Sequence, residues 1–128
     1  MFRSLFSKNA SLTGAPAARR MKTYSASSGY VYQYFYEGQR RLGGAKTEFV
    51  FSVSAVRWRP VSVMLPDDAL AEWQATRERE LSSAERYAVA KLALFQAFDE
   101  RPIPEAMHDA VRVSVADLDT IAGALGWD

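Results

Sequence analysis

The sequence has no cysteine and one histidine, His108. Without thiols there is no disulfide framework, no thiolate nucleophile and no cysteine-based metal site. One imidazole does not make a zinc centre, which recruits three or four protein ligands. No apolar run approaches the roughly 20 residues of a membrane-spanning helix. A phosphate-binding glycine loop, a dinucleotide fingerprint and a nucleophile elbow are missing as well. Acids are scarce in the first half: residues 1–66 carry 10 Lys/Arg against Glu37 and Glu48 alone. Residues 67–128 reverse this, with 6 Lys/Arg against 13 Asp/Glu. A net charge of +1 thus conceals halves of +8 and −7, which can attract each other or a neighbouring molecule.

What is present is globular. A chain of 128 residues, 48% hydrophobic and 12% aromatic, is the size of one domain and can bury a core. These totals point to a soluble, cytoplasmic protein. Residues 1–22 form an arm with five basic residues, no acid, and Ser, Ala, Gly and Pro between them. Such a segment buries too little to fold alone, so a flexible arm is expected ahead of a single domain over 23–128. The same composition suits an arm that orders on a partner, or a mitochondrial presequence that would direct the chain to the matrix.

The clearest pattern lies between residues 29 and 65. Tyr30, Tyr32, Tyr34 and Tyr36 alternate with Val31, Gln33, Phe35 and Glu37. After Gly43-Gly44 the alternation resumes with Thr47, Phe49, Phe51, Val53 and Ala55. Period two in β-branched and aromatic residues predicts strands, and Gly-Gly between them predicts a two-residue hairpin turn. Pairing Leu42 with Ala45 sets Tyr36 opposite Phe51, Tyr34 opposite Val53 and Tyr32 opposite Ala55. Gln33–Ser54 and Gln39–Glu48 then occupy the other face, and Gly38 is suited to a bulge that would shift this register. One strand over Thr47–Leu65 would be about 60 Å long. Pro60 cannot donate to a ladder, so a break near Arg57–Pro60 and a short third strand over Val61–Leu65 are expected.

Helices follow. Pro66-Asp67-Asp68 opens one that runs to about Glu80, its acids facing the positive end of the helix dipole. Ser82-Ser83-Ala84-Glu85 is a capping box for a second, reaching about Phe98 before Pro102 and Pro104. Ser114-Val115-Ala116-Asp117 starts a third that ends at Gly126, while Val111–Val115 stays open between strand and loop. The expected fold is α+β: a three-stranded antiparallel meander covered on one face by two or three helices.

Each candidate for chemistry has a plainer structural alternative. The second helix is apolar nearly all round: Ala84, Tyr87, Ala88, Leu94, Phe95 and Phe98 suit the sheet, with Val89, Ala90, Ala93 and Ala97 behind them. A helix of this kind is buried on both sides, its second cover being the last helix or another subunit. Lys91 in this helix is either a desolvated base or nucleophile, or a stem snorkelling to the rim. The row Tyr30, Tyr32, Tyr34 and Tyr36 is either core or a stacking platform for single-stranded nucleic acid, with Arg40, Arg41, Lys46, Arg57 and Arg59 on phosphates. His108, between Glu105 and Asp109, reads as helix surface. Arg77, Arg79 and Arg86 among Glu78, Glu80 and Glu85 read as solvated pairing.

These features point to a non-enzymatic accessory or assembly protein that binds another protein or itself, with no cofactor and no metal. Val89, Ala93, Gln96 and Ala97 of the second helix, and Arg40, Arg41, Arg57 and Arg59 of the hairpin, are the expected contact residues. Unpaired hairpin edges offer a further docking place. The alternatives are a nucleic-acid module using the tyrosine row and a small-ligand or enzymatic site around Lys91.

Overall fold

Strand-forming residues dominate the first half, and the computed structural model, which describes residues 11–127, turns them into one five-stranded sheet of order β1-β2-β3-β4-β5. The strands are β1 (Lys22–Ser25), β2 (Val31–Leu42), β3 (Lys46–Ser54), β4 (Trp58–Pro66) and β5 (Val111–Arg112). The first three neighbouring pairs are antiparallel, and β5 runs parallel beside β4 at Val63 and Met64. Helices α1 (Asp67–Arg77), α2 (Ser83–Glu100) and α3 (Val115–Leu125) follow, with a 3-10 turn at Pro104–His108 before β5. The class is α+β as expected, but the sheet has five strands rather than three. Residues 1–10 of the expected arm lie outside the described residues. Its later part runs along β2, where Thr13 bridges Gln39 and β1 pairs with Val31–Tyr34.

The hairpin turn differs from the two-residue expectation. Gly43, Gly44 and Ala45 form a three-residue loop closed by the Ala45 amide donating to the Leu42 carbonyl at 3.1 Å. Gly43 and Gly44 both take positive φ, 57° and 68°, a conformation costly for other residues. The extra loop residue is offset by a bulge between Tyr36 and Gly38. Beyond it, Tyr36–Phe51, Tyr34–Val53 and Gln33–Ser54 pair as expected, but the ladder ends there without Tyr32–Ala55. On the turn side Gln39 meets Phe49, and Arg40, not Gln39, meets Glu48. The bulge therefore sends Arg40 to the opposite sheet face from Tyr36.

Pro60 does not break the strand as expected: it lies within β4 opposite Ser52, and the interruption is confined to residues 55–57. Among the described residues β5 pairs with β4 only at Val63 and Met64. Around Pro60 one edge thus has no strand beside it, where a missing N–H is tolerated.

The expected capping box at Ser82 forms, and the cap expected at Ser114 is a box as well. Ser82 accepts from the Glu85 amide at 3.1 Å while Glu85 accepts from Ser82, and Ser114 and Asp117 do the same for α3. Helix α1 stops earlier than expected, at Arg77, because Glu78 adopts the left-handed conformation and Arg79 bonds back to Gln74. Strand residues Tyr32, Tyr34, Phe49, Phe51, Val53, Val61, Val63 and Leu65 share one sheet face and pack with Leu94, Phe98 and Trp73 in the core. Helix α3 covers the other flank of α2 through Leu118, Ile121 and Ala122. Among the described residues no helix is long and apolar enough to cross a membrane.

Candidate interaction surface

The core takes away much of what the sequence offered as surface. Val89, Ala93 and Ala97 are at most 5% exposed, so they are core residues closed off by α3 and not a docking face. Gln96 is half-buried beside them. Tyr32 and Tyr34 also lie under α2: Tyr32 stacks on Phe98 at 4.1 Å, and Tyr34 meets Phe95 edge-on at 5.5 Å. Tyr36 packs against Tyr87 at 4.7 Å, and Tyr30 alone of the row is exposed. Tyr32, Tyr34 and Tyr36 are thus the floor of the core and not a stacking platform. Burial pushes the hydroxyls of Tyr32, Tyr34, Tyr36 and Tyr87 above the ordinary tyrosine range.

The four candidate arginines do not converge. Arg40 and Arg41 flank the β2–β3 turn, whereas Arg57 and Arg59 stand at the far end, about 20 Å along the sheet. Arg40 is buried, its Nε donating to Glu48 Oε1 at 2.6 Å, and Glu48 also accepts from the Ser62 hydroxyl. Arg41 is exposed and clasps Asp67 at the start of α1. Lys91 is half-buried, its ammonium 5.9 Å from the Phe95 ring centre. Burial, and then the Lys22 charge, lowers its pKa. His108 is exposed next to Asp109. Among the described residues no group of three or more His, Asp or Glu is placed to hold a metal ion. The hairpin edge is occupied, since β1 and Thr13 lie along β2.

What remains open is the end of the sheet near residues 55–57, on the face turned away from the helices. Register places Gln33, Ser54 and Trp58 in one row there, and Phe35, Ser52 and Pro60 in the next. The small side chains of Ser52 and Ser54 leave room for Phe35 and Trp58 to meet diagonally, with ring centres 5.3 Å apart. Trp58 is 45% exposed, Val31 53% and Val56, in the connecting bend, 82%. The Arg19 guanidinium lies 5.8 Å over the Phe35 ring and 3.1 Å from Glu37. Arg57 is exposed next to Val56. The surface is therefore aromatic and aliphatic with a basic rim.

Sequence reasoning overlooked this patch although its signal was present. Once even-numbered tyrosines are assigned to the core, Val31 and Phe35 must point outward. Trp58 joins them through its pairing with Ser54, a contact that the expected break over Arg57–Pro60 did not allow. No protein-family model, curated protein or solved structure matches the chain.

Proposed function

We propose that this chain is a non-enzymatic accessory protein that docks another protein on the open end of its sheet. The observation that supports this is the exposed cluster of Val31, Val56 and Trp58 around Phe35, on a face the helices leave alone. Clustered exposed apolar side chains mark interaction sites, and Trp and Arg are the residue types that most often dominate binding energy. Rim residues Arg19 and Arg57 favour a partner segment that is apolar at its centre and acidic at its edges. The hairpin edge on β2 is taken by β1 and Thr13, so the proposal rests on the side-chain patch and not on strand addition there.

The test is to isolate the tagged chain from its native source in parallel with a Trp58→Glu and a Val31→Glu variant. The proposal expects a stoichiometric protein with the unaltered chain and its loss from both variants, at melting temperatures within a few degrees of the original. A protein retained equally by all three overturns it.

A further inference from the structure

At the other end of the sheet, between the β2–β3 hairpin and the starts of α1 and α2, lies a cavity of about 520 Å³. That volume is in the range of small-molecule sites, roughly 300–1,000 Å³. Leu65 and Leu70 give it an apolar lining, while Thr47 and Gln39 contribute a hydroxyl and an amide. Arg41, Arg86 and Asp67 supply charged side chains to its wall, whereas Arg40, which also borders it, turns its guanidinium to Glu48 on the other sheet face.

The charges in this cavity do not cancel. Arg40 is matched by Glu48, and Arg41 by Asp67 through a two-pronged contact, Nη1–Oδ1 at 2.8 Å and Nη2–Oδ2 at 2.5 Å. Arg86 donates to the Leu81 carbonyl at 2.7 Å and the Ser83 hydroxyl at 3.3 Å, neither of which carries charge. Among the described residues no carboxylate pairs with it. Among the described residues, the Arg86 guanidinium therefore stands beside an apolar lining without a carboxylate on it.

We infer that this cavity binds a small organic monocarboxylate, its head on Arg86 and its hydrocarbon body against Leu65 and Leu70. A guanidinium offers a planar fork that fits a carboxylate, and Arg41 already holds one in that manner in the same cavity. A phosphate monoester, with about −1.5 to −2 charges, would set its surplus charge against Asp67. The inference is independent of docking at Trp58, which lies at the other end of β4.

Hexanoate is the probe, with 1-hexanol and butyl phosphate as comparisons, each titrated into uniformly ¹⁵N-labelled full-length chain. Hexanoate should shift the Thr47, Leu70 and Arg86 amides and saturate in the low-millimolar range. Hexanol should bind at least tenfold more weakly, and butyl phosphate more weakly than hexanoate. Arg86→Gln should weaken hexanoate roughly tenfold or more, the loss of one charged hydrogen-bonded contact. Because this variant also removes a bond to Leu81, Thr47→Glu provides a second line. It places a fixed carboxylate in the cavity wall without touching α2 and should abolish hexanoate binding. Non-saturating shifts, shifts centred on Trp58, unchanged affinity in both variants, or tighter binding of butyl phosphate would each overturn the inference.

Discussion

Gly38→Ala probes the contact that fastens the N-terminal segment to the sheet. Gly38 has φ 131°, which L residues rarely adopt. A Cβ there would stand 2.8 Å from the Thr13 carbonyl oxygen and 3.0 Å from the Leu12 Cβ. The first is a backbone atom, so no rotamer change relieves the clash. Two effects follow. Holding alanine in this conformation costs about 1–3 kcal/mol. Pushing Thr13 away also strains the paired bonds Thr13 N to Gln39 O, 2.9 Å, and Gln39 N to Thr13 O, 2.8 Å, worth about 0.5–1.5 kcal/mol each. The variant should therefore lose about 2–6 kcal/mol in urea unfolding, followed by tryptophan fluorescence, to which the buried Trp73 contributes. Repeating the substitution in a chain lacking residues 1–13 separates the two effects, because only the conformational cost remains. A coupling of about 1–3 kcal/mol is expected between substitution and truncation. A cost below about 0.5 kcal/mol, or the same cost in both backgrounds, would refute the reasoning.

Other substitutions test the core and its electrostatics. Phe98→Ala removes a fully buried ring stacked on Tyr32 and should cost about 3–5 kcal/mol in the same assay. Glu48→Ala leaves Arg40 buried without this carboxylate and should cost about 3–5 kcal/mol. The double replacement Arg40→Met with Glu48→Leu should cost less than either single change. Asp99 closes the β1–β2 turn onto α2, accepting from Tyr24 at 2.8 Å and the Ser27 amide at 2.9 Å. Burial alone would raise its pKa, but these bonds outweigh burial and leave it lowered. A lowered carboxylate stabilises the fold above its unfolded pKa of about 3.9 and loses that contribution as pH falls through the folded value. The urea midpoints of wild type and Asp99→Asn should therefore differ at pH 7, begin to approach each other near pH 4 and converge only once the pH is below the lowered folded pKa.

Signals carried by neighbouring residues were legible in the sequence. The alternation across Gly43-Gly44 and the boxes Ser82–Glu85 and Ser114–Asp117 are local, and all three form. What depends on distant partners was not. Strand β1 has only Tyr24 partly buried, and its partners Phe95 and Asp99 lie far along the chain. Strand β5 is two residues long and exists through its pairing with β4. The apolar girth of α2 correctly implied cover on two sides, but nothing local identified α3 as the second. The turn is one residue longer than expected, and because loop and bulge compensate, Tyr36–Phe51 is unchanged while the pairs from Gly38 to Leu42 shift by one. The candidate surface follows from the sequence only once the tyrosines occupy the core and Trp58 pairs with Ser54. Its members are separated by the hairpin, so no single stretch displays them together.

Photo-crosslinking from position 58 tests the docking surface most directly. A photoreactive phenylalanine analogue replaces Trp58, or, as a control on the exposed side of α1, Glu72, and the native source is irradiated. The account predicts one dominant adduct from position 58, suppressed by Val31→Glu and weakened at high salt, and none of that mass from position 72. The same adduct from position 72 with none from 58 would contradict it.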